Sequence, residues 1–169
     1  MTGETLDDTD DERLRQALAR LLLDDLGYQR SELQVRRDLP IDTGSHAATS
    51  RVDFVVVIDE KALMVVRYSA GALVVRERPT VCVARLLEPH VIPRAVITNG
   101  RDARVLDAST GEVVGTGLQA IPDRAALVEL AGSVELSALP AGRRAGEERI
   151  LLAFDNLDEA CGCGPTLEH

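Results

Sequence analysis

Apolar residues near the start of the chain follow the period of an α-helix. Five of them recur at intervals of three and four residues: Leu14, Ala17, Leu21, Leu22 and Leu26. This spacing places them on one helix face. Thr9 to Glu12 is typical of a capping box, in which both side chains accept hydrogen bonds from the first free amides. Gly27 is typical of a left-handed cap. The pattern predicts one amphipathic helix over residues 10–26.

Two β-branched runs indicate a central hairpin. They span Val52–Ile58 and Ala62–Tyr68, and the three polar residues 59–61 separate them. Because both runs are apolar on both faces, we expect two central strands that are covered on both sides. Residues 38–50 carry turn formers without a period and predict a loop or an irregular edge.

The second half of the chain alternates between short apolar runs and helix signals. The expected elements are a helix over Val81–Leu87 opened by Pro79 and Thr80, a strand over Arg94–Thr98, a hairpin of residues 103–107 and 112–116, a short helix from Pro122 to Leu130, and an amphipathic helix over residues 147–160. Strands and helices in this order favour an α/β fold, with a mixed sheet that carries helices on its faces.

The length of 169 residues suits a single domain with one core. We place this domain at residues 10–160, between an acidic disordered N-terminus at 1–9 and a flexible tail at 161–169. The last three residues of this tail resemble a tag remnant. The longest apolar runs have five residues, whereas a membrane-spanning helix needs about 20. Without a signal-like apolar N-terminus, a cytoplasmic protein with no membrane partner is expected.

The net charge of −9 is unevenly distributed. Residues 1–12 hold six acids and no base, whereas residues 30–104 hold 12 Lys plus Arg against 9 Asp plus Glu, a net charge of +3. The whole chain is therefore not drawn to nucleic acid in general, but a local arginine surface can bind it.

The cysteines and histidines do not point to a defined cofactor. Cys82 lies in an apolar run and is expected to be a buried small hydrophobe. Cys161 and Cys163 could chelate a metal, but the tail offers no second pair of ligands. His46 and His90 lie in loop-like segments, where we expect solvent exposure rather than catalysis.

Four short segments in a fixed order resemble the N-terminal domain of type I restriction enzyme R subunits. They are Glu12–Gln16 with the helix end Leu26-Gly27-Tyr28, Arg51–Val56, Ile97–Gly100, and Val105–Asp107 with Thr110-Gly111. The resemblance spans about residues 10–130. It implies a restriction-endonuclease-like three-layer fold, with a mixed central sheet, a β-hairpin core and flanking helices. It also implies the nuclease motif PD-(D/E)xK.

The resemblance implies a catalytic site, and this chain carries only part of it. Nucleases of this fold hold Mg²⁺ on an aspartate of the first hairpin strand and an acid of the second, followed two residues later by a lysine. Asp53 matches the first position. The second strand ends in Val66, Arg67, Tyr68 and Ser69, which supply neither the acid nor the lysine in either register. Because arginine replaces the acid, Asp53 and Arg67 could form an ion pair where the metal would bind.

Two other acids could substitute in catalysis. Glu12 matches an acid that can join the metal site in this superfamily, although the capping box is the simpler interpretation. Glu77 lies beyond the second strand and could approach Asp53. If the protein is active, these acids would assist a Mg²⁺-dependent endonuclease whose metal ligand is Asp53.

Seven arginines are candidates for binding nucleic acid: Arg36, Arg37, Arg51, Arg67, Arg76, Arg78 and Arg85. If they converge at the open end of the hairpin, they form a cationic rim around Asp53 that suits phosphate. The alternative is a solvated surface with ion pairs to Glu77 and Glu88. The chain has four aromatic residues, so any nucleic-acid binding would be directed at the backbone.

Three functional hypotheses follow. The first is a catalytically degenerate relative of the R-subunit nuclease domain that binds DNA through its backbone or binds restriction-modification subunits. The second is an active Mg²⁺-dependent DNA nuclease that uses Asp53 with a migrated acid. The third is a structural or interaction protein that kept only the fold. A homodimer is expected only because homodimers are common.

Overall fold

Six β-strands and four α-helices make up most of the part of the chain that the structure describes. The computed structural model describes residues 10–162, with side chains as far as residue 154. The strands are β1 (Leu33–Asp42), β2 (Ala47–Ile58), β3 (Lys61–Tyr68), β4 (Arg94–Thr98), β5 (Ala103–Asp107) and β6 (Val113–Thr116). The α-helices are α1 (Asp10–Arg20), α2 (Val74–Leu86), α3 (Arg124–Ser133) and α4 (Ala141–Gly162). A π-helical turn over Leu21–Asp25 and 3-10 turns over Arg30–Glu32 and Leu118–Ala120 complete them.

The strands form one mixed sheet in the order β1-β2-β3-β4-β5-β6. β3 and β4 are parallel and are connected by α2, and all other neighbouring strands are antiparallel. The predicted α/β fold with a mixed central sheet and a β2–β3 hairpin is therefore confirmed.

Helices cover both faces of the sheet and give it three layers. On one face, α2 and α4 pack on a core that contains Val55 and Leu151. On the other face, α1 and α3 pack on a core that contains Leu18, Phe54 and Leu127. Burying an aliphatic side chain of this size contributes roughly 1.5–3 kcal/mol. The two cores explain why β2 and β3 are apolar on both faces.

β1 lies partly where the sequence predicted a loop. Most of residues 38–50 belong to a β1–β2 hairpin with its turn at residues 43–46, so the predicted loop was wrong outside that turn. The alternative of a sheet edge is confirmed, because β1 is an edge strand. Most of its polar residues are exposed, while Leu39 and Ile41 are buried. Pro40 is tolerated because an edge strand has one side without ladder hydrogen bonds. β1 therefore contains no continuous apolar run, whereas such runs made it possible to predict the inner strands.

Two helices begin earlier than predicted. α2 begins at Val74 and contains Pro79, which the sequence placed at its start. The buried side chain of Leu73 anchors the extra turn in the core, and the Thr80 hydroxyl donates to the Arg76 carbonyl at 2.7 Å. α4 begins at Ala141 instead of residue 147, in a polar stretch without apolar period.

The first helix ends differently from the predicted regular helix over 10–26. α1 stops at Arg20 and a π-helical turn continues to Asp25, with the Leu26 amide donating to the Leu21 carbonyl at 3.0 Å. Gly27 has φ 78°, so the predicted left-handed cap is confirmed. β3–β6 and α3 agree with their predicted positions to within three residues.

Some predictions fall outside the described residues or side chains. They concern the acidic segment 1–9 with Thr9 of the capping box, the Cys161 and Cys163 pair, and the tail with its tag remnant. None of the described helices combines the length and the apolar character needed to cross a membrane.

Candidate functional site

Asp53 is a buried carboxylate in the middle of β2. Its side chain is 8% exposed. Oδ1 accepts a hydrogen bond from Nε of Arg15 at 2.8 Å, and Oδ2 accepts one from the backbone N–H of Tyr68 at 2.7 Å. A buried carboxylate is stable when a cation and hydrogen bonds compensate it. Arg15 on α1 supplies that cation.

An irregularity in the strands lies at the position of Asp53. In a regular strand, Val52 and Phe54 would point to the same face. Here Val52 belongs to the core under α2 and α4, whereas Phe54 belongs to the core under α1. Arg36, which lies between the β1 partners of these two residues, has φ 55°. The sequence contains no signal for this inversion, and the Asp53 carboxylate contacts α1 at this point.

Glu12 shares a guanidinium with Asp53. Its Oε2 lies 2.6 Å from Nη2 of Arg36 and 3.8 Å from Nη1 of Arg15. Arg15 thus lies between the carboxylates of Glu12 and Asp53. The structure therefore brings Glu12 and Asp53 together, and Arg15 joins them.

The predicted ion pair between Asp53 and Arg67 was wrong. The β2–β3 register pairs Phe54 with Val66, so Arg67 follows directly after the last paired residue of β3. The β4 partner of Arg67, Ile97, lies in the core under α2 and α4. Nη2 of Arg67 lies 3.5 Å from the Ser50 hydroxyl. The two side chains are on different faces of the sheet, so Arg15 is the arginine that pairs with Asp53 among the described residues.

The end of β3 carries Tyr68 and Ser69 instead of an acid and a lysine. The Ser69 amide donates to the Thr98 carbonyl at 2.9 Å, which fixes the strand end. Burial raises the pKa of the Tyr68 hydroxyl, and the nearby carboxylates of Asp11 and Asp10 raise it further. Tyr68 is therefore a neutral hydroxyl at ordinary pH, next to the backbone amide that Asp53 binds.

Glu77 does not join Glu12 and Asp53. It lies on α2, where its Oε1 is 3.7 Å from Nε of Arg104 on β5. α2 covers the face opposite to α1. Within residues 10–162, no group of three or more His, Cys, Asp or Glu residues could hold a metal ion. Asp53 and Glu12 instead bind the guanidinium groups of Arg15 and Arg36, so in this arrangement their oxygens do not fit a Mg²⁺ ion.

Two predicted arginines of the β1–β2 hairpin, Arg37 and Arg51, pair with acids on neighbouring elements. Nε of Arg51 is 3.0 Å from Asp38. Asp38 foremost, and more weakly Asp53, raise the pKa of Arg51. Arg37 contacts Glu88 at the end of α2. Arg36 pairs with Glu12 in the same way. Three of the predicted arginines thus lie on the β1–β2 hairpin, and each has an acidic partner.

The three arginines on α2 lie in a different environment. Arg85 is buried and donates to the carbonyl of Ala108 at 2.7 Å and to Glu147 of α4 at 2.6 Å. Arg78 donates to the same carboxylate at 3.0 Å. Arg76 is half-buried in the first turn of α2. Arg85 is thus engaged in holding α4 and the β5–β6 loop against α2, and we leave it out of any phosphate-binding surface.

Glu147 is a buried charge that sequence reasoning missed. Burial alone would raise its pKa, but hydrogen bonds from Arg78, Cys82 and Arg85 outweigh burial and hold it at about 2. Burial first, and then the bond to Glu147, raise the pKa of the Cys82 thiol to about 12. The prediction that Cys82 is buried is confirmed. The one signal in the sequence was Arg85, an arginine inside the apolar run of α2. A buried arginine needs a buried acidic partner.

The two histidines differ in exposure. His46 is exposed in the β1–β2 turn, as predicted. His90 is half-buried, with Nε2 2.8 Å from the Ala62 carbonyl oxygen, so its predicted exposure was wrong. Its ring fastens the segment after α2 to the start of β3.

The three-layer arrangement around a mixed sheet defines an α/β domain of the restriction-endonuclease-like type. The chain matches the family model described as type I restriction enzyme R protein N terminus (HSDR_N) over residues 10–122, and it belongs to that family. No curated protein and no solved structure matches it. The matched residues include α1, the complete sheet and α2, whereas α3 and α4 follow them.

Proposed function

We propose that this chain is a catalytically inactive member of its family that binds nucleic acid instead of cleaving it. The observation that carries the proposal is the contact between Arg15 and Asp53. A guanidinium neutralises the one carboxylate that matches the nuclease motif PD-(D/E)xK, and it also lies 3.8 Å from the carboxylate of Glu12.

The loss of catalysis follows from the chemistry that the motif requires. Metal-assisted hydrolysis of a phosphodiester needs carboxylates that hold Mg²⁺, which lowers the pKa of the attacking water. The end of β3 supplies neither the second acid nor the lysine, whether Arg67 and Ser69 or Val66 and Tyr68 stand at these positions. Arg15 would have to leave Asp53 before a metal ion could bind. Its departure would leave the buried carboxylate without a counter-charge.

The ligand we propose is the phosphate backbone of DNA. Arg15 contacts Asp53, Arg36 contacts Glu12 next to Arg15, and Arg51 contacts Asp38 on the β1–β2 hairpin. Arg67 lies on the other face of the sheet and is not part of this group. Arg36 and Arg51 have side chains 50% and 61% exposed, and a guanidinium can bind phosphate through two hydrogen bonds. Because acids already pair with these arginines, phosphate must compete with Glu12 and Asp38. The binding is therefore expected to be weak and sensitive to salt.

Family membership also suggests a second kind of partner, a subunit of a restriction-modification enzyme. The ion pairs around Asp53 contain both positive and negative side chains, and such a surface could also contact another protein. We favour DNA because the exposed arginines of the β1–β2 hairpin present their charge at the same end as Asp53.

The test combines cleavage with binding. Plasmid and single-stranded DNA are incubated with the protein and Mg²⁺ or Mn²⁺, next to Asp53→Ala, and a fluorescent duplex is titrated at low salt. We expect no cleavage, and binding that weakens as salt is added. Neither metal should raise the melting temperature of the wild-type protein.

Other outcomes would overturn parts of the proposal. Cleavage that disappears in Asp53→Ala would instead support a Mg²⁺-dependent nuclease that uses Asp53 with Glu12. No affinity for the duplex even at low salt would remove DNA as the ligand. The remaining hypotheses would then be a domain that binds another protein and a structural protein that kept only the fold.

A further inference from the structure

A cleft lies between the β1–β2 turn and α4, away from Asp53. Its volume is about 720 Å³. One wall is the turn with Asp42, Ser45 and His46, and the other is α4 with Arg149. His46 and Asp53 are seven residues apart on one strand and its turn, roughly 23 Å at about 3.3 Å per residue. The cleft is thus distinct from the arginines around Asp53.

Internal hydrogen bonds hold the wall formed by the turn. The Thr43 amide donates to the His46 carbonyl at 2.9 Å, and the Gly44 amide donates to Oδ1 of Asp42 at 2.8 Å. The Ser45 hydroxyl is 3.2 Å from Nδ1 of the His46 ring. These contacts use one oxygen of Asp42 and one ring nitrogen of His46. The other oxygen and Nε2 make no hydrogen bond to any described residue and are left for a ligand.

α4 contributes a cation to the opposite wall. Glu148 also lines the cleft, and its carboxylate lies 3.3 Å from Nε of Arg144, which compensates its charge within the helix. Arg149 donates from Nε to the Ala145 carbonyl at 3.2 Å, and no carboxylate among the described side chains pairs with it. Its terminal nitrogens therefore remain for an anion. The buried side chain of Leu152 also lines the cleft and provides apolar surface.

We infer that this cleft binds a small phosphate ester of a hydroxylated compound, of the mononucleotide class. Arg149 and His46 supply donors to the phosphate, and Asp42 accepts from a hydroxyl group. The volume lies within the range of about 300–1,000 Å³ that is usual for small-molecule sites. Both walls are required, and α4 lies outside the residues that match the family. The site would therefore be an addition to the family fold.

The experiment is an NMR titration of the ¹⁵N-labelled full chain with AMP, adenosine and inorganic phosphate as separate probes. AMP should shift the amides of residues 42–46 and 145–153. Adenosine and phosphate should each bind at least about tenfold more weakly, because each makes only part of the contacts. Arg149→Gln should weaken AMP binding about tenfold without changing the melting temperature.

Arg143→Gln is the matched control, because Arg143 is exposed on the same helix but does not line the cleft. It should bind AMP like the wild type. AMP shifts that are absent, that fall on the strands around Arg36 and Arg51, or that survive Arg149→Gln would overturn the site. Equal affinities for phosphate and AMP would overturn the ligand class.

Discussion

Nε of Arg15 lies 2.8 Å from Oδ1 of Asp53, across 38 residues of sequence. The helix residue thereby neutralises a strand carboxylate that would otherwise be buried without a counter-charge. The same guanidinium extends to Glu12 on its own helix. Asp53 thus takes part in attaching α1 to the sheet.

This pairing predicts that Asp53 stabilises the fold. Asp53→Ala removes the acceptor of hydrogen bonds from Arg15 and from the Tyr68 amide, and we expect the free energy of unfolding to fall by about 2–3 kcal/mol. The loss is limited because Arg15 is partly exposed and can bind water instead. Urea denaturation measures the free energy of unfolding. Asp38→Ala removes an exposed partner of Arg51 and should change it by less than about 1 kcal/mol. A variant Asp53→Ala as stable as the wild type would contradict a structural role of the pair.

The proposed DNA contact predicts a specific salt dependence. A duplex titrated at several salt concentrations gives a linear relation between the logarithms of affinity and salt. Arg36→Gln and Arg51→Gln should each lower its slope by about 1. Arg143→Gln, on α4, should leave the slope unchanged. Equal slopes in all four proteins would show that the β1–β2 hairpin does not contact DNA.

Glu147 predicts a loss of stability in acid. Its pKa of about 2 in the folded protein lies below the ordinary value of 4.5. The stabilisation is therefore complete above about pH 4.5 and disappears as the pH falls towards 2. At neutral pH, Glu147→Gln should cost about 3 kcal/mol and should flatten the decline between these pH values.

Glu148→Gln is the control for this measurement, because Glu148 is partly exposed beside Arg144 on the same helix. It should change stability by less than about 0.5 kcal/mol and keep the acid dependence. Urea midpoints measured from pH 7 to pH 2 compare the three proteins. An unchanged acid dependence in Glu147→Gln would show that Glu147 is not the group responsible.

Cys82 is predicted to be chemically inert in the folded protein. It is buried, and its pKa of about 12 keeps the thiol protonated. With Cys161→Ser and Cys163→Ser in place, a thiol reagent at pH 8 should label Cys82 at least about a hundredfold more slowly than in urea. Adding Cys82→Ala should abolish labelling. Rapid labelling of the folded protein would mean that the α2–α4 contact opens readily.

The sequence predicted the inner elements better than the edge and the helix ends. Runs such as Val52–Ile58 carry their own signal because both faces of the sheet are buried. β1 carries none, since an edge strand keeps its polar residues in water and needs apolar residues only where Leu39 and Ile41 meet the core. The extra turn of α2 likewise depends on burial of Leu73, which a reading centred on Pro79 could not foresee.

The fold class, the family and the place of Asp53 in a buried strand, without a second acid and a lysine after it, could be predicted from the residues alone. These follow from local periodicity and from residue identities at fixed positions. The pairs of Arg15 with Asp53 and of Arg85 with Glu147, 62 residues away, became visible only in the folded protein. With 18 arginines in the chain, no local pattern selects the partner of a carboxylate. The selection depends on which long side chains the packed helices bring to each face of the sheet.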